Sequence, residues 1–291
     1  MLNRLKQKAV RSIKKQLDKK NIAIKSNDYA GHFQRSLHQQ IQGKVYANIG
    51  AGNFNLPGWQ MLEYSTPDYR YEGADRFVEY DITSGKPLPY DDDSVDGIYC
   101  SHVFEHFDNE VGVHLMGEIA RVLKKGAVAR IIVPNIKLSY DAMMRGDKDY
   151  FIWEWWYDVA QRYRSYTDKP PIEWPVEFSW LHSFATERVP LHRTASPHKI
   201  ELAELQNKIK KMSFEKLCDD LVAPLSYDVE HASHHINWYS EKKMIALGEA
   251  TKQLRGYRSS YLQSADKQMR VEGHFDKVWP QMSLYTEFEK L

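Results

Sequence analysis

Two glycines one residue apart, in Gly50-Ala51-Gly52, and a carboxylate a short way downstream, Glu63, are the first residues of this 291-residue chain whose types and spacing suggest chemistry. Glycine lets a ligand approach main-chain atoms with no Cβ in the way. A glutamate at the carboxyl end of a strand accepts hydrogen bonds from the two hydroxyls of a ribose. Together they suggest a place for an adenosyl group. Asp81-Ile82 extends the pattern: the acid can hydrogen-bond an adenine amino group while the isoleucine covers the ring. On local grounds Asp81 reads equally well as the cap of the following turn. A dinucleotide loop has Gly-x-Gly-x-x-Gly ahead of a helix N-terminus. Here the third glycine position is Asn55, and Pro57-Gly58 follow, so a phosphate-cradling helix fits poorly.

A second group of reactive side chains lies in Glu230-His231-Ala232-Ser233-His234-His235. Three histidines this close together can ligate zinc, but no second cluster has ligand spacing, so no metal is expected. His234 and His235 read instead as substrate-side histidines. Asp91-Asp92-Asp93 sits in a turn-rich loop where consecutive side chains splay apart, which makes it a solvated turn rather than a cation site.

The elements that must position these residues follow from hydrophobic runs and their breakers. Val45 to Ile49 reads as a buried parallel strand because glycines bound it at once. Gln60 to Leu62, Phe77 to Tyr80 and Ser94 to Cys100 read as the second to fourth strands. The fourth delivers Ser101-His102-Val103-Phe104-Glu105-His106 to the ligand edge. A helix is expected from Asp108, with Val111, Leu115, Ile119, Val122 and Leu123 on its buried face and Lys124-Lys125-Gly126 at its end. A fifth strand runs from Ala127 to Val133. Lys199 to Leu221 reads as a helix and a half, and Ser240 to Leu254 as another helix. Gly256 to Leu262 and Ser283 to Phe288 read as an antiparallel closing pair at the sheet edge.

Composition bounds the function. With 42% hydrophobic residues the chain can bury a sizeable core. Forty basic and thirty-nine acidic residues leave a net charge of +1, so no overall field argues for nucleic acid. Two cysteines, Cys100 and Cys218, suit a reducing compartment. No apolar run approaches a membrane span and no signal-peptide core is evident, so a cytoplasmic protein is expected. Residues 1–43 form a basic, helical extension ahead of the main domain at 44–291. Within 1–25, Leu2, Leu5, Ala9, Ile13 and Leu17 share one helix face among nine Lys and Arg. Such a helix fits either an anionic membrane surface, making the protein peripheral there, or simple packing on the domain. A substrate-side insertion is expected at about 147–238. Its aromatic stretch from Phe151 to Tyr166 suits a ring-shaped acceptor, a small satellite core or a dimer contact.

The ordered set Gly50-Ala51-Gly52, Glu63, Asp81-Ile82, Ser94-Val95-Asp96-Gly97-Ile98-Tyr99-Cys100 and Ser101-His102-Val103-Phe104-Glu105-His106 resembles the class I S-adenosylmethionine-dependent methyltransferases. Within them it is most similar to the small-molecule and surface-glycan branch. The resemblance covers about Lys44 to Asn135. It implies a Rossmann-like α/β fold, a seven-stranded, mostly parallel sheet with helices on both faces, and S-adenosyl-L-methionine as cofactor. It places Asn48, Gly50, Ala51 and Gly52 around the methionine moiety, Glu63 on the ribose and Asp81 with Ile82 at the adenine. Ser101 and His102 would line the methyl-transfer site. The chain departs from the family where an acid usually stands, at Asn48, and where a third glycine often stands, at Phe54.

The chemistry so implied is an in-line attack of an acceptor oxygen on the sulfonium methyl, which needs alignment and exclusion of water. A hydroxyl nucleophile also needs a proton acceptor. His102, His234 and His235 are the candidates, whereas Glu105 and His106 read as structural. A small-molecule or glycan O-methyltransferase is therefore expected. A nucleic-acid methyltransferase is disfavoured, because base N-methylation usually shows Asn/Asp-Pro-Pro-Tyr after the fourth strand. A catalytically silent binding protein is the third reading, motivated by Asn48 and Phe54.

Overall fold

The computed structural model describes residues 41–52, 54, 56–66, 77–151 and 173–291. The chain divides into two units, Met1–Gln42 and Gly43–Leu291, and the elements described belong to the second. The basic helix expected at 1–25 and the aromatic stretch beyond Phe151 lie outside the described residues.

Seven strands form one sheet: β1 (Tyr46–Ile49), β2 (Trp59–Glu63), β3 (Phe77–Glu79), β4 (Val95–Ser101), β5 (Leu123–Pro134), β6 (Leu254–Arg258) and β7 (Ser283–Lys290). Their order is β3-β2-β1-β4-β5-β7-β6. The first five are parallel, while β7 pairs antiparallel with both β5 and β6. β1 is buried along its whole length, as expected of a strand with parallel neighbours on each side. The strand order reverses at β1, and ligands of open α/β sheets lie beyond the carboxyl ends at such a point.

Helix α1 (Asn109–Val122) starts where the Asp108 side chain accepts from the Val111 N–H, and it buries Leu115, Met116, Ile119 and Val122 against the sheet. The expected stop at Lys124-Lys125-Gly126 is corrected: the helix ends at Val122 and Leu123 already pairs with Val95 in β5. Lys124 there reaches Asp96 at 2.7 Å, and Gly126 takes a positive φ of 76°. Helices α2 (Ile136–Met144), α3 (Val176–His182), α4 (Leu202–Lys211) and α5 (Phe214–Val222) surround a second core, separate from the sheet, in which Trp174, Trp180, Phe184, Leu205, Leu217 and Trp238 are buried. The expected helix and a half is thus two helices broken at Met212-Ser213. Helix α6 (Glu241–Glu249) is shorter than expected, and Lys252, with φ of 59°, turns the chain into β6.

The closing pair is antiparallel and lies at the sheet edge as expected, with β6 outermost and β7 between β5 and β6. Residues 259–282 form a long connection between the two strands and bring Phe275 against Phe54 of the glycine loop. Arg130 of β5, with no exposed side-chain surface, anchors that connection. Its five N–H groups donate to Asp276 Oδ1 (3.0 Å) and Oδ2 (2.6 Å), Glu287 Oε1 (2.9 Å), Ser259 Oγ (2.9 Å) and the Ser260 carbonyl (2.8 Å). A buried charge is tolerated in a protein interior only when paired and hydrogen-bonded in this way. No helix among the described residues is long and apolar enough to cross a membrane.

Candidate active site

A cavity of about 410 Å³ opens at the carboxyl ends of β1, β2 and β4. Asn48, Gly50, Ala51, Gly52, Glu63, Asp81, Ile82, Ser101 and His102 all line it. Residues spread over more than fifty positions of sequence are therefore brought to one wall by the parallel strands. Phe54, Tyr99, His106, Phe107, His274 and Lys277 are also among the lining residues. The last two come from the β6–β7 connection, which sequence reasoning left without a role because no motif marks it.

The glycine loop is closed by its own carboxylate. Gly50 N–H donates to the Leu62 carbonyl at 2.9 Å, and Gly52 N–H donates to Glu63 Oε2 at 3.0 Å. Gly50 has φ of 64°, and a Cβ there would lie 2.3 Å from Val103 Cγ2, so the position admits glycine alone. Phe54, where a third glycine was looked for, is buried in an aromatic cluster with Trp59 (5.7 Å between ring centroids), Phe275 (5.3 Å) and Tyr99 (6.1 Å). The loop thus rests on a ring stack, and its described residues form turns rather than a helix. Asn48 is buried at the end of β1, beside Met61 and Tyr99. Burial pushes the Glu63 carboxyl above its ordinary range, against the two N–H groups of Gly52 and Tyr64.

Asp81 caps the turn that follows it. Its Oδ1 accepts from the Thr83 N–H (2.8 Å) and hydroxyl (2.7 Å), capping the turn at Ile82–Ser84, and the residue still lines the cavity.

His102 follows β4 with φ of 56°, a left-handed conformation that is uncommon outside glycine and is found at functional sites. Its Nδ1 lies 2.9 Å from Glu105 Oε1 and its Nε2 2.9 Å from Ser283 Oγ. A carboxylate only accepts, so Nδ1 carries a proton, while the Ser283 hydroxyl facing Nε2 also donates to the Trp279 carbonyl at 2.8 Å. Glu105, read from sequence as structural, is the residue that orients this imidazole. Burial pushes its carboxyl up, but His102, by charge and hydrogen bond, outweighs this and holds it down at about 2.

His234 and His235 are placed differently from expectation: neither is among the cavity's lining residues, and His106 and Ala232 are. His235 stands edge-on to His106, with ring centroids 4.8 Å apart, and its Nδ1 donates to the Ser183 carbonyl at 2.7 Å. His234 Nδ1 pairs with Glu187 Oε1 at 3.1 Å, and its ring lies against those of His192 and His231. Burial lowers the His106 pKa and brings that of His235 down to about 4.

The sequence model of a family described as "Methyltransferase domain" matches residues 59–131, from β2 into β5. A search of curated proteins finds no match. Among solved structures the chain is similar to one from the complex between the Haloferax volcanii Trm112 methyltransferase activator and a proposed methyltransferase, with 14% identity, 91% of each chain covered and a TM-score of 0.38. It is also similar to a SAM-dependent methyltransferase of Methanosarcina mazei (12% identity, 85% of this chain and 92% of that one, TM-score 0.37). A third is human N-acetylserotonin methyltransferase in complex with SAM (8%, 90% and 56%, TM-score 0.36). At such scores these likenesses carry no argument, and the fold rests on the strand order itself.

Proposed function

We propose, from the premise that the chain is an S-adenosylmethionine-dependent methyltransferase with S-adenosyl-L-methionine as its cofactor, that it methylates a hydroxyl oxygen of a small-molecule or glycan acceptor. In this reading Glu63 takes the ribose hydroxyls, Asp81 and Ile82 the adenine, and Asn48, Gly50, Ala51 and Gly52 the methionine moiety, with Ser101 and His102 beside the methyl group. The observation that carries it is the Glu105–His102 pair at the cavity wall, 2.9 Å apart. An oxygen nucleophile has to lose a proton as it attacks, and an imidazole oriented through Nδ1 offers Nε2 to take it. The acceptor hydroxyl would replace the Ser283 hydroxyl at that nitrogen. His234 and His235 then stand behind the wall rather than at the reacting atoms.

Acceptor chemistry is tested by incubating the protein with methyl-labelled S-adenosylmethionine and either sugar-containing acceptors or total RNA. Label in a sugar hydroxyl supports the proposal, and label in RNA alone overturns it. A protein serving only as a scaffold would show no heat with S-adenosylhomocysteine in calorimetry. The basic segment 1–25 fits an anionic membrane surface, which would make a cytoplasmic enzyme peripheral. Deleting residues 1–20 would then abolish binding to acidic vesicles and leave cofactor affinity intact, whereas full-length protein that ignores such vesicles overturns this part.

A further inference from the structure

At the cavity wall formed in part by His106, the side chains of Glu105, His106 and His235 each bring one potential ligand atom to within 4.8 Å of the others. Glu105 is 1% exposed, and its Oε2 has no hydrogen-bond partner among the described residues, although Oε1 is paired with His102. A buried carboxylate oxygen left without a partner is costly, and this is the one such carboxylate among the described residues. The two imidazoles beside it are already committed through Nδ1. His106 Nδ1 donates to the His234 carbonyl at 3.0 Å and His235 Nδ1 to the Ser183 carbonyl at 2.7 Å. Each ring is thereby fixed as the tautomer whose Nε2 carries a lone pair. Metal-bound histidines almost always donate their other nitrogen to a carbonyl or carboxylate in just this manner.

The backbone around the three is fixed as well. Ile236 and Asn237 N–H both donate to the Glu105 carbonyl, at 2.9 and 3.1 Å. His235 N–H donates to Thr186 Oγ1 at 3.1 Å, and Thr186 N–H returns to the His235 carbonyl at 3.0 Å. The turn at Phe104–His106, the segment before α6 and the loop after α3 therefore meet at one point.

We infer that Glu105, His106 and His235 form a binding site for a divalent transition-metal cation of the zinc class. Two imidazole nitrogens and one carboxylate oxygen make a three-ligand set that leaves a coordination position open. Bonds of about 2.0–2.2 Å at tetrahedral angles put ligand atoms roughly 3.4 Å apart, so a contraction of at most about 1.4 Å from the observed spacing completes the site. The sequence hid it because two ligands lie in the turn after β4 and the third comes more than a hundred residues later, while the visible histidine run at 231–235 gives only one ligand. Bound there, the cation would tie the two segments that carry His106 and Ala232, both of which face the cavity.

The test uses full-length protein with no affinity tag, stripped by chelator and titrated with Zn²⁺ in a calorimeter and with Co²⁺ in a visible spectrometer. The expected result is one equivalent of Zn²⁺ and the intense absorption of Co²⁺ in a site of low symmetry. His106→Ala and His235→Ala should each weaken Zn²⁺ by more than the roughly 10–100-fold that loss of an outer-shell partner costs. His231→Ala should bind as the wild type does. Should an Ala variant fail to fold by circular dichroism, His106→Gln or His235→Gln replaces it. Wild-type protein that takes up no Zn²⁺ overturns the inference, as does binding unchanged in both ligand variants or lost in His231→Ala. Heat with S-adenosylhomocysteine in the same samples reads the cofactor site independently, so failure of one assignment is distinguishable from failure of the other.

Discussion

The N–H of Gly52 donates to Oε2 of Glu63 at 3.0 Å, while Oε1 of the same carboxylate accepts from the Tyr64 N–H at 3.0 Å. One side chain thus holds the glycine loop in shape and faces the cavity where a ribose would lie. Loop geometry and cofactor affinity are consequently coupled through a single residue. Glu63→Ala should weaken S-adenosylhomocysteine binding by about 1–3 kcal/mol, the cost of leaving buried polar groups unpaired. Calorimetry on a folded variant measures it, and unchanged affinity would remove Glu63 from the cofactor site.

Acidification should act on the same residue. Burial raises the folded-state pKa of Glu63, so between its unfolded and folded values the native state binds more protons than the unfolded one. By linkage, the contribution of Glu63 to stability is present at low pH and is lost as pH rises through the folded pKa. Cofactor affinity should move the opposite way, rising with pH over that window because two ribose hydroxyls need a carboxylate to accept them. Glu63→Gln should flatten both profiles, and a pH dependence of affinity that persists in that variant would assign it to another group.

Gly50→Ala should abolish cofactor binding. A left-handed backbone costs a Cβ-bearing residue about 1–2 kcal/mol, and here the added carbon would also overlap Val103. Val103 belongs to the turn that leads to Glu105, so relief of the overlap would move that turn. Cofactor titration of a soluble Gly50→Ala protein checks this, with wild-type affinity as the refuting result.

Once an acceptor is in hand, His102→Ala should lower turnover by roughly 10²–10⁴-fold with S-adenosylmethionine affinity nearly unchanged. Ser283→Ala separates two roles for the serine. If its hydroxyl merely occupies His102 Nε2 until the acceptor arrives, turnover should hold or rise. A fall as large as that of His102→Ala would make the serine part of the proton path. His234→Ala should change turnover only a few-fold, because that side chain pairs with Glu187 and is not among the cavity's lining residues.

Arg130→Met should destabilise the protein by about 3–5 kcal/mol, since it strands Asp276 and Glu287 as buried carboxylates without a counter-charge. Chemical denaturation measures the loss. Because Asp276 stands beside Phe275 and Lys277, cofactor affinity should fall with it.

The parts of this site that were legible in the sequence are those whose spacing is set by parallel strands. Glycines after β1, a carboxylate after β2, an acid after β3 and a histidine after β4 each sit at a strand's carboxyl end, so the strand pattern alone brings them together. His234 and His235 belong instead to an irregular segment whose path depends on the second core, and no periodicity reports such a path. Glu105 was read as structural for a related reason: it pairs with His102 three residues earlier, across an irregular turn that no periodicity marks. The β6–β7 connection was silent because Arg130, Asp276 and Glu287, which fix it, look from sequence like three unrelated surface charges.

The insertion of β7 between β5 and β6 has a bearing on how the protein is made. During synthesis β1 to β5 emerge first and can pair at once, but β5 then waits with a bare hydrogen-bonding edge through about 150 further residues. β6 cannot shield it, since its only partner is the strand still to come. Until Lys290 leaves the ribosome the nascent chain therefore carries two open edges, the situation that invites pairing with other chains. A nonsense mutation anywhere before Ser283 would release a product with those edges permanently open and with Arg130 deprived of Glu287. Such fragments should be found in aggregates or in the hands of chaperones rather than as shortened, working enzymes.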